Sequence, residues 1–263
     1  MSDSFDLYDS SDSFDLYDSS DSFDLYDSPD SSDSPDHADA SVEAGTRSDR
    51  RAVRETYDRI ADHFAETRAN PWPEVTDFVD GRQGETGLDL GAGNGRHVEP
   101  LAARTERVIA LDASTELLTL GHDRAADRGY RDQYRPLAAD AARLPLAADT
   151  VDLAVYIATL HHLPDRETRV ASLSELARVL APGGSALVSA WSTAHDRFDA
   201  DEGFDTTVDW TLPDGEVVPR FYHVYAPAEF EADLAASDLT TADSFVSSGN
   251  CYAIVSINTK YGV

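Results

Sequence analysis

Lysine is all but absent from this chain: among 21 basic residues only Lys260 is a lysine, against 50 acidic residues and a formal net charge of −29. A balance this acidic should repel a polyanion, since affinity for nucleic acid normally comes from Lys and Arg. It suits a cytoplasm of molar salt instead. There carboxylates keep the surface hydrated, and a Debye length of about 3 Å makes self-repulsion short-ranged. An acidic protein built to bind basic partners is the other reading, but it requires no shortage of lysine. Cysteine is equally scarce. Cys251 stands alone, which excludes an intrachain disulfide and a Cys-rich metal site. No apolar run reaches transmembrane length, and the N-terminal stretch is acidic where a signal peptide would be basic. A cytoplasmic protein with no membrane partner is expected.

The first 46 residues lack what a folded domain needs. Residues 2–28 are three perfect copies of SDSFDLYDS, and residues 1–46 hold 14 acidic side chains with no Lys or Arg. So much like charge on Asp and Ser cannot bury enough apolar surface to offset the entropy of ordering. A disordered acidic tail is expected over 1–46. The Phe-Asp-Leu-Tyr core of each copy fits a short docking motif or a plain low-complexity repeat, and its period is too short for a helical solenoid. Of the net charge the tail carries −14 and residues 47–263 carry −15. Those 217 residues suffice for one domain with a full core.

What is present from residue 49 onward is periodic. Val53, Tyr57, Ile60 and Phe64 recur at helical spacing. Pro71 and Pro73 break that helix, and a second begins at Glu74. Strands are then expected over 87–90, 108–112, 134–139, 151–157 and 185–191, with helices over 98–104, 115–127 and 166–180. The Pro182-Gly183-Gly184 turn should end the last helix and launch the fifth strand. Strand–helix alternation implies a parallel sheet with helices on both faces. After a stretch read as irregular, 210–225, come a helix over 228–236 and two strands, 240–246 and 251–257, joined as a hairpin. The expected fold class is therefore α/β: a doubly wound, Rossmann-like sheet, mostly parallel, with an antiparallel C-terminal strand.

The loop after the first strand reads Gly91-Ala92-Gly93-Asn94-Gly95. Glycines let backbone approach a ligand where a Cβ would clash, but nicotinamide and flavin sites use similar loops. Asp89 discriminates. A dinucleotide site sets pyrophosphate at the helix N-terminus, where a neighbouring carboxylate would repel it. S-adenosylmethionine has no phosphate, and its ammonium suits a carboxylate. Asp112 ends the second strand, where an acid can accept both ribose hydroxyls, and Asp140 with Ala141 follows the third, placed to read an adenine edge. Each Asp alone would suit a helix cap or a solvated loop; three at successive strand ends point to S-adenosylmethionine. Its expected binding residues are Asp89, Gly91, Ala92, Gly93, Gly95, Asp112, Ala113, Asp140, Ala141 and Ile157. His161 and His162 follow the fourth strand on the ligand side. Adjacent histidines rarely ligate one ion together, so no metal is expected.

Several segments carry a resemblance. YDRIADHFAETRANPWPEVTDFV at 57–79, the LHHLP and PGG stretches within 160–191 with Trp191, PRFYHVY at 219–225 and GNCYAIV at 249–255 are together similar to the methyltransferases that esterify 5-carboxymethyluridine at the tRNA wobble position. The similarity runs over roughly 50–257. LHHLP and PGG are widespread; the PWP turn with its preceding Thr-Arg, Trp191 and 220–223 are more specific. Cys251 departs from the family, which usually has Trp after Gly-Asn, and 192–218 matches poorly.

The resemblance implies methyl transfer from S-adenosylmethionine to a carboxylate that is already ionised, so proximity rather than a general base carries the reaction. Catalytic candidates are His161, His162, Arg220, Tyr222, His223 and Trp191. Arg220 would pair with the substrate carboxylate or a phosphate; Tyr222, Trp191 and His223 would stack on an everted base; His161 or His162 would orient the substrate. Core packing, a surface ion pair and backbone hydrogen bonds are the plainer roles for these residues. The implied partners are the tRNA anticodon loop and a small zinc-binding activator that adds to the sheet. An acidic domain should repel tRNA, although in molar salt shape and stacking take over recognition. The alternatives are a small-molecule (quinone or metabolite) methyltransferase and a regulatory subunit that binds cofactor without turnover.

Overall fold

The computed structural model describes residues 50–257; the expected tail over 1–46 and Lys260 lie outside the described residues. Helix α1 (Arg50–Thr67) turns Ile60 and Ala61 inward. Helix α2 (Pro73–Val79) starts on a proline, whose missing N–H costs nothing in a first turn. There follow β1 (Gly84–Leu90), α3 (Val98–Ala102), β2 (Thr105–Asp112), α4 (Thr115–Asp127), β3 (Tyr134–Ala138), β4 (Val151–Tyr156), α5 (Arg166–Val179), β5 (Leu180–Trp191), β6 (Phe204–Thr211), β7 (Val217–Val224), α6 (Pro227–Ala236), β8 (Leu239–Ser247) and β9 (Asn250–Ile257). Side chains mark two helix starts: the Ser114 hydroxyl accepts from the Leu117 amide at 3.1 Å, and Asp165 accepts from Thr168 at 2.8 Å.

Seven strands form one sheet in the order β3-β2-β1-β4-β5-β9-β8. Pairing is parallel from β3 to β5, and β9 runs antiparallel to both its neighbours. The expected fold class holds. Apolar clusters cover both faces. Leu88 and Leu90 point to one, with Leu173 and Leu176 of α5 and Phe230 of α6; Val155 and Ile157 point to the other, with Val98, Leu101 and Val75. Burial on both faces explains why the central strands read as apolar runs. Because Leu88 and Leu90 share one face, strand alternation sends Asp89 to the opposite face.

Two sequence expectations are corrected. The stretch 210–225 is not irregular: β6 and β7 form a two-stranded antiparallel hairpin outside the main sheet, with Trp210 opposite Val218 and Thr206 opposite Tyr222. The Pro182-Gly183-Gly184 turn lies within β5 rather than before it. Leu180 pairs with Val151 and Ser185 with Leu153, so the turn is accommodated as an irregularity. Gly183 has φ +87°, and a Cβ on Gly184 would meet the Val151 carbonyl at 2.8 Å. The hairpin joins the carboxyl end of β5, where the Tyr225 amide donates to the Trp191 carbonyl and the Thr193 amide to the Tyr225 carbonyl, both at 2.9 Å. No helix among the described residues is long and apolar enough to cross a membrane.

Candidate functional site

The carboxyl ends of β1, β2 and β4 meet at the glycine loop, the crevice position where open α/β sheets bind ligands. Gly91 has φ +75°, and a Cβ there would sit 2.2–2.6 Å from the Thr159 side chain. The Gly91 and Ala92 amides donate to the Leu111 carbonyl at 2.7 and 2.9 Å, which ties the turn to the end of β2. The Gly93 amide donates to Asp112 Oδ2 and the Ser114 amide to Asp112 Oδ1, each at 2.8 Å. Burial raises the Asp112 carboxyl pKa, and the Ser114, Gly93 and Ala113 amides offset part of that rise.

Asp89 is different. It is 1% exposed, and neither carboxylate oxygen has a hydrogen-bond partner among the described residues. Burial, then the nearby charge of Asp112, pushes its pKa up to about 8, against the opposing pull of Arg96. A buried acid left without a partner is expensive unless a ligand satisfies it. This carboxylate, the glycine turn and Asp112 together fit the ammonium and ribose of S-adenosylmethionine, and fit a pyrophosphate poorly. Asp140 is half-exposed: it takes the Arg50 guanidinium at 2.5 Å and the Ala142 amide at 2.9 Å. The Ala141 carbonyl accepts from Ser172, Ala113 is exposed, and Ile157 is buried beneath the loop with its carbonyl holding the Thr159 hydroxyl.

Helix α1 roofs this end. A Cβ on Gly93 would lie 3.4 Å from the Phe64 ring, the Asn94 amide donates to the Ala65 and Arg68 carbonyls, and the Ser114 hydroxyl donates to Asp58 at 2.6 Å. The residue after Ile157 is strained: Ala158 has φ +52° and donates its amide to the Ser189 carbonyl at 3.2 Å.

Beyond β4 and β5 lies an aromatic cluster. Tyr222 stacks on His161 (centroids 4.8 Å, 20° between planes) and packs against Trp191 at 4.5 Å. The His161 Nδ1 accepts from the Trp191 amide at 3.1 Å. His162 Nδ1 faces the Phe221 carbonyl at 2.9 Å and so donates, which leaves Nε2 to accept from the Tyr57 hydroxyl at 2.8 Å. Burial drives the His161 pKa well below its usual value and brings His162 down to about 3. Both rings are neutral at physiological pH. Arg220 is 3% exposed, its guanidinium 4.7 Å from the Trp210 ring and 5.2 Å from Tyr222, and its charge bears on Tyr57. The surface ion pair that was the plainer role for Arg220 is thereby corrected, because an inward position on β7 buries it.

The structure thus brings His161, His162, Arg220, Tyr222 and Trp191 together, but not His223. Successive residues of β7 alternate sides, and His223 turns its Nδ1 to Asp205 at 2.7 Å and its Nε2 to Glu229 at 2.9 Å. With both nitrogens held and the ring buried, stacking of His223 on a base is a corrected expectation. Tyr222 is also committed to His161 and Trp191. Only Trp191, of the three residues expected to stack, keeps partial exposure. Sequence reasoning missed Tyr57, Arg68, Arg96 and Trp210 as site residues. Arg68 lies over the Phe64 and Trp210 rings and had a signal in the Thr-Arg before PWP. Trp210 had none, lying in the poorly matched 192–218.

A methyltransferase domain profile matches residues 88–188. The chain is 32% identical over 189 residues to the tRNA (carboxymethyluridine(34)-5-O)-methyltransferase of Saccharomyces cerevisiae, covering 68% of this chain and 63% of that one. It is 31% identical over 167 residues to the protein of that name in Schizosaccharomyces pombe, covering 61% and 68%. In a Macaca fascicularis relative of the same activity name, 33% identical over 58% of this chain, the match spans 22% of the longer protein. The chain therefore spans less than two thirds of the first of these relatives. Among solved structures, a Streptomyces caelestis methyltransferase superposes with TM-score 0.64 at 20% identity, covering 77% of this chain and 97% of that one. A Haloferax volcanii putative methyltransferase, solved in complex with the Trm112 methyltransferase activator, gives 0.56 at 18%, covering 80% and 100%. These two show the shared fold.

Proposed function

The chain belongs to the family of tRNA (carboxymethyluridine(34)-5-O)-methyltransferases, and from that premise we propose that it methylates the carboxylate of 5-carboxymethyluridine at the tRNA wobble position. The observation that carries the reading is that the two histidines at the acceptor end are poorly suited to act as a base. His161 and His162 are buried, held neutral and engaged by the Trp191 amide, the Phe221 carbonyl and Tyr57. A hydroxyl or amine acceptor would call for proton removal; a carboxylate does not.

When bound, S-adenosylmethionine supplies an activated sulfonium methyl, so the ester O–CH3 bond forms as the CH3–S bond breaks and no proton has to be placed. The chain's own task is alignment. We assign Asp89, Asp112 and the glycine loop to the donor, and Asp140 and Ala141 to its adenine side. Arg220, buried beside Trp210 and Tyr222, supplies positive potential toward the acceptor carboxylate. Trp191 offers ring surface to the everted pyrimidine, and Tyr222 with His161 fixes its tilt.

The partnership seen for the Haloferax volcanii relative extends, in this reading, to a small zinc-binding activator of this chain. The outer strands β3 and β8 leave edges for such a partner. The scarcity of lysine supports, in the same reading, a cytoplasmic enzyme of a high-salt cell. Mass spectrometry of tRNA nucleosides from a deletion strain tests the activity. The wobble methyl ester is expected to vanish and the free acid to accumulate; an unchanged ester level would overturn the proposal.

A further inference from the structure

We propose that Asn250 reads the Watson–Crick edge of the acceptor base, its Oδ1 accepting the N3–H of a uracil that lies on Trp191. The placement comes from strand register. Asn250 opens β9 and pairs with Trp191, the last residue of β5, and with Ser247 of β8. Directly opposed residues of an antiparallel pair send their side chains to the same face, with Cβ atoms about 5 Å apart. On that face of the two strands Leu187 and Tyr252 pack with Val155 and Ile157. Asn250 and Trp191 therefore lie on the Asp89 side of the sheet, at the carboxyl end of β5, where the crevice opens.

Asn250 is 7% exposed, and its Oδ1 has no hydrogen-bond partner among the described residues. A buried amide oxygen left unpaired is costly unless a ligand completes it. Ser247 beside it does not, because its hydroxyl donates to Glu74 at 2.6 Å. The other half of the amide is fixed: Nδ2 donates to the Ser248 carbonyl at 3.0 Å. By itself that bond is an ordinary turn contact, with Ser248 at φ +48° between β8 and β9. Its consequence is orientation. A carbonyl only accepts, so it keeps the amide nitrogen on its own side and prevents a flip. The base is selected by that bias. Uracil presents N3–H as a donor on its Watson–Crick edge, whereas cytosine presents N3 as an acceptor. A flipped amide could serve cytosine; one pinned by Ser248 would meet the cytosine N3 lone pair with its own.

The inference rests on the carboxymethyluridine reading, and one set of substrates separates the two. Anticodon stem-loops carrying 5-carboxymethyluridine, 5-carboxymethylcytidine or N3-methyl-5-carboxymethyluridine at the wobble position are given to the full chain with the activator present in high salt. Mass spectrometry counts the methyl ester. If no loop is methylated, the function reading itself fails. Otherwise the uridine loop is expected to exceed both others by about 10- to 100-fold in kcat/KM, the usual worth of a base-edge contact. Asn250→Ala should lower the uridine rate until the uridine and cytidine loops differ by less than about threefold, with S-adenosylhomocysteine affinity unchanged by calorimetry. Asn250→Asp keeps an acceptor oxygen and should retain the preference for uridine. The N3-methyl loop needs no variant, so poor folding of Asn250→Ala leaves the test decisive. Equal rates for the uridine and N3-methyl loops in the parent would overturn the assignment. So would an Asn250→Ala variant that binds the donor and still discriminates uridine from cytidine as the parent does.

Discussion

The two ends of the site solve opposite problems. At the donor end, between β1 and β2, Asp89 is buried with no hydrogen-bond partner among the described residues, and the glycine loop holds φ values that only glycine takes easily. At the acceptor end, between β4, β5 and the β6–β7 hairpin, both histidine rings are held within the protein: His162 by Phe221 and Tyr57, His161 by the Trp191 amide. One end stores unfavourable electrostatics that a ligand relieves. The other is already packed and offers shape. A donor used in every turnover can be bound by complementary charge. An acceptor whose carboxylate is already a nucleophile needs a surface to lie on.

That contrast breaks most visibly at Tyr222. Its ring is 4% exposed and wedged between His161 and Trp191, so Tyr222→Ala is expected to lower unfolding free energy by about 3–5 kcal/mol, as for other buried aromatic truncations. Denaturant unfolding reads this directly, and a loss below about 1 kcal/mol would mean the acceptor end is loose rather than packed. Gly91→Ala tests the donor end. The new Cβ collides with Thr159 in a backbone region that disfavours side chains. Donor affinity should fall by about 100-fold with far less loss of stability than at Tyr222, and calorimetry together with unfolding separates the two.

How much of this was legible in the sequence differs between the ends for a physical reason. Asp89, Asp112 and Asp140 are each tied to the end of an apolar strand, so strand periodicity located them together with the fold. The hairpin hid itself. In β7 the inward positions are Val218, Arg220, Tyr222 and Val224, so a buried arginine interrupts the apolar alternation that would announce a strand. Pro219 lowers the signal further, since proline is confined to edges and bulges; a two-stranded hairpin tolerates it. The reversal of His223 followed from alternation alone once a strand was known there, and could not be read while 210–225 looked irregular. Arg96 left no periodic trace at all, because its position follows from the glycine turn rather than from a strand.

Asp89 sharpens the comparison through pH. Its folded pKa is about 8, above the ordinary carboxyl value of 3.8. Between those limits the unfolded chain has released a proton that the folded chain retains, so this group lowers stability progressively as pH rises from about 4 to about 8. Asp89→Asn removes that slope and should match or exceed the parent in thermal stability at pH 8, while losing about tenfold in donor affinity. Binding of the ammonium favours the carboxylate, so donor binding near pH 7 should release about one proton. Calorimetry in two buffers of different ionisation enthalpy measures it, and zero release would place the ammonium elsewhere.

The smallest expected effect is the most telling about the acceptor end. With His162 near 3 and His161 also well below its usual value, neither ring changes charge between pH 5 and 8. At saturating donor, so that Asp89 is already paired, kcat should be flat through the range where histidines normally titrate. His162→Asn should change kcat by less than about tenfold, since it removes a structural bond to Tyr57 worth about 1 kcal/mol rather than a proton acceptor. An inflection near pH 6.5 that vanishes in His161→Asn or His162→Asn would reveal a general base. The acceptor would then have to be a group that holds its proton at neutral pH, and the carboxylate assignment would fall with it.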